Sequence, residues 1–405
     1  MLDKEDNMYE WNKPFVMVMN IKKDYIKASK NNENLKFESW VEYLNIEKYN
    51  DFVLPLQFNQ SGNFLLIRYG LADMQKGMWE NEDSIYRQCR SVVIDLYEEE
   101  PVLTPFRKFF NLNEVKENMV ENIYKEIKIS NIFEITNKLD GSMQSLRYYN
   151  GKYFMSGSMA LDKENSWRLE DGYSMLNNDY KRMAKDNKNY TFIFEYISIK
   201  DAHVVLYNKS QEGLYLIGII DVITGNELPY SYVKAFAKEY NIKTTTIEYK
   251  SLDEILELSK TMKSNEKEGW VMNIDGHKVK VKCDDYVSLH RLLDKLSSVN
   301  LIIESIADDK FDDLISKVPI VYRERVLEIS KIVYNYIEVS RSYVHIMYEK
   351  SPKENRKEFM IWVEHNVDKH YKACLRSVYL GLDYNLLKGK SGRYKKMSEM
   401  QTKGE

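Results

Sequence analysis

Lys138 stands in TNKLDGSMQS (136–145) beside Asp140 and Gly141, between two runs that read as strands, IFEIT and MQSLRYY. After MQSLRYY come Asn150, Gly151 and KYFMS, the pattern of a hairpin with a tight turn. An amine at a sheet rim can reach into a cleft, whereas a lysine before a polar turn is otherwise a solvated loop residue. Two further segments carry matching chemistry. In YTFIFEYIS, alternation puts Glu195 on the face of Ile193 and Ile197: if that face is buried it holds a carboxylate in need of a cation or a metal, and if the aromatic face is buried instead, Glu195 meets water. In EGWVMNIDGHKVKVKCDDYVSLH (268–290), Asp275 and Gly276 mark a second hairpin turn, and Lys278, Lys280 and Lys282 share one face of the next strand, opposite Val279 and Val281. Three ammoniums in a row repel one another unless an anion such as phosphate lies over them. An edge strand defended by lysines is the plainer reading of the same row.

The elements that must hold these groups follow from period. Up to about residue 290 the chain shows short β-type runs with turn signals between them, such as NFLLIRYG, SVVIDLY and LYLIGIIDVI. Beyond that the spacing turns helical. Val326, Ile329, Ile332, Val333, Tyr336, Ile337 and Val344 recur at three- and four-residue steps within 323–348. Another helix is expected to start at SPKE, with Ser351 as N-cap, Pro352 in the first turn and Glu354 completing a capping box. Its inner face would carry Phe359, Trp362, Val363, Val367, Tyr371, Leu375 and Val378. The expected class is therefore α+β: an antiparallel-sheet domain over 1–290, an all-helical domain over 291–387 and a basic flexible tail over 388–405.

Composition narrows the function classes. Among 405 residues, 59 Lys and Arg face 62 Asp and Glu, a net charge of −3, so any polyanion site must be local. Cys89, Cys283 and Cys374 are far apart and odd in number, which fits neither a disulfide framework nor a zinc knuckle and points to a reducing cytoplasm. The first residues lack the order of a signal peptide, and Asp221 interrupts the most apolar run, so no membrane association is expected. The 31 tyrosines suit amphipathic packing and, at some positions, stacking on bases.

Taken in order, KLDG, IFEYIS, LYLIGIIDVITG, EGWV and VKVK resemble the five shared motifs of the covalent nucleotidyltransferases, the ATP-dependent ligases and RNA capping enzymes. QCRSVVID (88–95), KFFNLNE (108–114) and DYVSLH (285–290) further resemble the bacteriophage RNA ligase 1 family, the tRNA-repairing type of T-even phages. This likeness spans roughly 85–290. It implies an antiparallel-sheet nucleotidyltransferase domain in which Lys138 attacks the α-phosphorus of ATP and holds AMP as a phosphoramidate. Lys280 and Lys282 would grip the α-phosphate and, with a divalent cation, favour the neutral amine. Glu195 and Glu268 would hold the nucleotide sugar and the metal, magnesium or manganese in its place. Arg90, Lys108, Phe110, Asp140, Gly141, Gly269 and Tyr286 match nucleotide-contact positions, Phe110 as a ring for adenine and Gly141 as a point where backbone nears the ligand.

The partner implied is RNA with 5′-phosphate and 3′-hydroxyl ends, nicked tRNA included, with a polynucleotide kinase/phosphatase working beside the ligase. Two departures stand out. Ser156 occupies a position where the family has a lysine, with Lys152 or Lys163 as replacements, and Ser91 stands where the phage enzyme has glycine. A capping guanylyltransferase, a DNA ligase and a non-catalytic RNA-binding relative are the alternatives. The first two typically carry a small β-barrel after VKVK, where this chain turns helical.

Overall fold

Alternation along 133–138 and 269–282 builds the sheet that carries the lysines. In a computed structural model, which describes residues 9–387 except 31–34, 50–52, 54, 55, 71–77, 202, 297, 298 and 319, the chain divides into two compact units, Met1–Val287 and Ser288–Glu405. The expected tail over 388–405 lies outside the described residues.

The first unit holds three four-stranded sheets. One is β1 (Leu56–Ser61), β2 (Phe64–Tyr69), β3 (Arg90–Asp95) and β4 (Glu100–Leu103), antiparallel in that order. Its apolar face, with Leu65, Ile67, Val92 and Ile94, packs on helices Lys13–Ser29 and Phe37–Leu44 through Val18, Ile21 and Trp40. The second sheet runs β5 (Phe110–Asn111), β12 (His277–Lys282), β11 (Gly269–Ile274), β6 (Phe133–Lys138). It is antiparallel except where β5 lies parallel to β12. The third runs β10 (Gly213–Asp221), β9 (Tyr190–Ile197), β7 (Ser142–Tyr149), β8 (Lys152–Ser156), antiparallel throughout. Phe192, Phe194 and Tyr196 bury one face of β9 against helices Asn178–Asp186 and Tyr230–Glu239, while Ile193 packs with Phe106 on the other. Both faces of β9 are thus covered, and Glu195 sits within the fold.

Ser91 has φ +69° and sits at the bulge where the β2–β3 register shifts between Ile67↔Val92 and Arg68↔Arg90. Its Oγ donates to the Ser158 carbonyl at 2.6 Å. A serine tolerates this backbone; a β-branched residue does not. Ser91→Val is expected to destabilise the first unit by about 1–3 kcal/mol in urea unfolding.

In the second unit every described regular element is a helix: Val299–Ala307, Phe311–Lys317, Ile320–Lys350, Arg356–Asn366 and Lys372–Tyr379. Ile302, Ile303, Val326 and Val333 close one core; Val344, Phe359, Val363 and Leu375 close another. The expected start at Ser351 is corrected. Ser351 Oγ donates to the Tyr348 carbonyl, finishing the preceding helix, and the cap is Asn355, whose side chain accepts from Lys357 N and Glu358 N. The expected single helix is two, broken around Val367–Tyr371, yet its apolar positions still share one core because both segments pack on the helix Ile320–Lys350.

Candidate active site

The chain leaves β6 at Lys138 and re-enters order as β7 at Ser142, so residues 139–141 cross from one sheet to the other. Two glycines make the crossing tight. A Cβ on Gly141 would lie 2.3 Å from the Tyr196 carbonyl oxygen, and one on Gly269, opposite Lys138 at φ +150°, 2.1 Å from that of Val281. The close approach at Gly141 is therefore to β9, not only to a ligand as its motif suggests. Gly141→Ala must push the crossing off β9, at about 1–3 kcal/mol, and is expected to lower both the melting temperature and any reactivity of Lys138.

Between the sheets lies a cavity of about 250 Å³, lined among others by Arg90, Phe109, Lys138, Glu195, Lys280 and Lys282. Glu268, nearly fully buried, bridges two of its amines: Lys138 Nζ is 2.6 Å from Oε2 and Lys282 Nζ 3.0 Å from Oε1. Burial works against the Glu268 anion, but these ammoniums outweigh it and hold the carboxyl below its ordinary range. For Lys138, burial disfavours the charge, yet Glu268, Glu195 and Asp140 prevail and the pKa is raised. Without nucleotide or a divalent cation, the nearby carboxylates set the state of this amine.

Glu195 accepts from Gly141 N at 2.9 Å through Oε1, and its Oε2 has no hydrogen-bond partner among the described residues. Burial first, then Glu268 and Asp140, push its pKa up to about 7 despite Lys138. A carboxyl in that state gains from a cation placed at Oε2.

The three lysines of β12 meet three different fates. Lys278 pairs with the half-buried Glu227 and lies 3.5 Å from the centre of the Phe106 ring. Lys282 pairs with Glu268. Lys280 has no carboxylate partner among the described residues; it sits 4.5 Å from the Phe109 ring centre, and burial with Arg90, Lys138, Lys108 and Lys282 around it pushes its pKa down to about 6. Arg90 Cζ is 5.1 Å from the same ring, and Arg90 Nη1 is buried without a hydrogen-bond partner. One lysine and one guanidinium thus face the cavity with anion-binding capacity unused.

Other expected positions lie outside this cavity. Asp140 is buried and accepts from Val204 N, Val205 N and Tyr286 Oη at 2.8, 2.8 and 2.7 Å, so Asp140 and Tyr286 fasten the crossing rather than line the cavity. Lys108 Nζ lies about 5 Å from the Tyr69, Trp79 and Phe110 rings and lines an adjoining cleft of about 910 Å³. Phe110 is buried there against Trp79, whereas Phe109, just before β5, lines the lysine cavity together with Phe106. Sequence reasoning missed Phe106, Phe109 and Glu227. Alternation in KFFNLNE could have separated Phe109 from Phe110, but the strand is two residues long. Lys152 and Lys163 are exposed and line neither cavity, so neither fills the place left by Ser156. Among the described residues no three acidic, His or Cys side chains form a metal cluster.

Residues 88–286, which hold this whole arrangement, match the model of a family described as RNA ligase. The match covers 199 of the 405 residues, just under half of the chain. Among solved structures, the chain is similar to the Naegleria gruberi RNA ligase with PPi, at 19% identity over 45% of this chain and 57% of that one, TM-score 0.37. A variant of the Naegleria gruberi enzyme with ATP and Mn matches at 19% over 43% and 56%, TM-score 0.36. An archaeal ATP-dependent RNA ligase matches at 13% over 73% and 74%, TM-score 0.44. The chain therefore spans a little over half the length of the Naegleria structures it matches.

Proposed function

We propose that this protein is an ATP-dependent RNA ligase that joins 5′-phosphate to 3′-hydroxyl ends through a lysyl-AMP intermediate. One observation carries the reading: a half-buried, ion-paired lysine at a strand end faces a cavity in which Arg90 Nη1 and Lys280 have no anion. Mere binding of RNA needs no such amine. Lys138, as free amine, attacks the α-phosphorus of ATP; the N–P bond forms, the bond to the β-phosphate oxygen breaks and pyrophosphate leaves. The adenylyl group then passes to the 5′-phosphate of RNA, and the 3′-hydroxyl, losing its proton, displaces AMP and closes the phosphodiester.

Arg90, Lys280 and Lys282 surround the phosphates and offset developing charge. Phe109 and Phe106, not Phe110, are the phenylalanine rings that line the cavity. Glu268 holds Lys138 at the strand end. Glu195 Oε2, unpartnered beside a raised carboxyl, suits a divalent cation completed by nucleotide phosphates, magnesium or manganese, whereas both Glu268 oxygens are engaged by lysines. When bound, that cation would polarise the phosphates. Nicked tRNA is the proposed natural substrate, supported by the resemblance and by the helical second unit. A kinase and phosphatase that heals RNA ends would supply these termini. Three buried cysteines, none of them in a disulfide, accord with a reducing cytoplasm, and no described helix is long and apolar enough to cross a membrane.

The test is incubation with α-labelled ATP and magnesium, a denaturing gel, and a chase with 5′-phosphorylated RNA. Label that stays on the protein and leaves with the RNA is expected. Label from GTP instead of ATP would favour capping chemistry, and no label on protein freed of AMP would sink the ligase reading.

A further inference from the structure

On the far side of Met143, which lines both spaces, the start of β7 walls a second cleft of about 420 Å³. Residues 157–162 and the first turn of the helix Trp167–Ser174 complete it. Its lining is polar and nearly uncharged, with Asn59, Ser142, Gln144, Ser158, Asn165 and Ser166. Arg168 stands at its edge. The buried Asp201 accepts from Arg168 Nε at 2.7 Å and from Ser142 Oγ at 2.6 Å, which ties the guanidinium to the residue that follows Gly141. Both terminal nitrogens of Arg168 are without a hydrogen-bond partner among the described residues, and its side chain is half exposed. Its Cζ lies 4.8 Å from the ring centre of Trp167, itself 46% exposed. A fork held by Nε, with two free donors, beside an exposed indole, is suited to a phosphodiester and a base of single-stranded RNA.

The charge count selects the strand. A terminal 5′-phosphate is a dianion, and here a single guanidinium stands near the carboxylates of Asp162 and Asp201. Three cations without carboxylate partners among the described residues, Arg90, Lys108 and Lys280, lie instead in the lysine cavity and the cleft that adjoins it. A bridging phosphodiester carries one charge, and a nucleoside asks for amides and hydroxyls. We propose that this cleft seats the RNA strand that brings the 3′-hydroxyl, its phosphodiester on Arg168 and one of its bases on Trp167. The proposal rests on the ligase reading above.

The experiment uses the full chain and its Trp167→Ala, Arg168→Ala and Arg168→Lys variants. Lysine labelling from ATP is measured first. Joining is then followed with a pre-adenylated 5′ RNA while the concentration of a hydroxyl-ended acceptor is varied. Neither residue lines the lysine cavity, so labelling is expected to match wild type. The acceptor KM is expected to rise about tenfold in both alanine variants with kcat held within about twofold. The log-log salt slope of acceptor binding should fall by about 0.7 in Arg168→Ala, and Arg168→Lys should restore that slope but not the full affinity. Should Arg168→Ala unfold through the loss of a partner for Asp201, exposed Trp167 still carries the test. An unchanged acceptor KM in Trp167→Ala, or a rise confined to the KM of the 5′ strand, overturns the proposal. Failure of the wild type to label would instead overturn the ligase reading and take this inference with it.

Discussion

Lys138→Ala and Lys138→Arg proteins take up no label from α-labelled ATP, a loss of at least about 10⁴-fold, while their melting temperatures stay close to that of wild type. The two substitutions separate chemistry from charge. Arginine keeps the cation beside Glu268, so the ion pair that Lys138 makes at 2.6 Å survives in kind, but a guanidinium gives up no lone pair at neutral pH. Alanine removes the charge, and Lys282 at 3.0 Å still neutralises Glu268. Residual labelling of either variant would show that another amine reacts. The same lysine sets a pH signature. Its ammonium is held above the ordinary lysine range by Glu268, Glu195 and Asp140, against the effect of burial. The reacting free amine is therefore scarce at neutral pH, and the rate of label uptake under saturating ATP is expected to climb about tenfold per pH unit from 6 to 9. A flat profile would mean that another step limits uptake.

Lys280→Met is expected to cut label uptake by about 10²- to 10³-fold and, in the same protein, to raise stability at neutral pH. The pairing of those signs follows from one fact. Lys280 is buried among Arg90, Lys138, Lys108 and Lys282, with its folded-state pKa pushed down to about 6, whereas in the unfolded chain it lies near 10.5. Between those values the unfolded chain binds the proton and the folded chain does not. Its contribution therefore opposes folding, grows as pH falls from 10.5 toward 6 and disappears above 10.5. Methionine removes that penalty, so the gain in melting temperature should be larger at pH 7 than at pH 10. Triphosphate supplies the missing anion, and ATP binding at pH 8 should take up close to one proton in wild type and none through this group in Lys280→Met. Buffers of different ionisation enthalpy in calorimetry read that uptake, and equal proton counts for the two proteins would refute the assignment.

Local pattern was enough to place Lys138 at the end of one strand, Glu195 inside another and three lysines along one face of a third, because a period of two is a property of the backbone. It was enough, too, for the hairpin turns at Asn150 and Asp275, both left-handed with φ of 45° and 47°, and for the helical character of the chain beyond residue 290. Pattern misled at Ser351, where a favourable cap sequence lost to Asn355, because residues 351–355 are taken up in turning the chain from one helix into the next. It was silent on Phe109 against Phe110, since a strand of two residues has no period to read.

What the sequence by itself determined is which groups share a face. Which of them carry charge was decided only by the tertiary structure. Glu227 reaches Lys278 from the segment after β10, and Glu268 reaches both Lys138 and Lys282 from just before β11, leaving Lys280 and a buried nitrogen of Arg90 without an anion. Protonation follows distance and burial among side chains far apart in the chain, and those distances exist only once the sheets have packed.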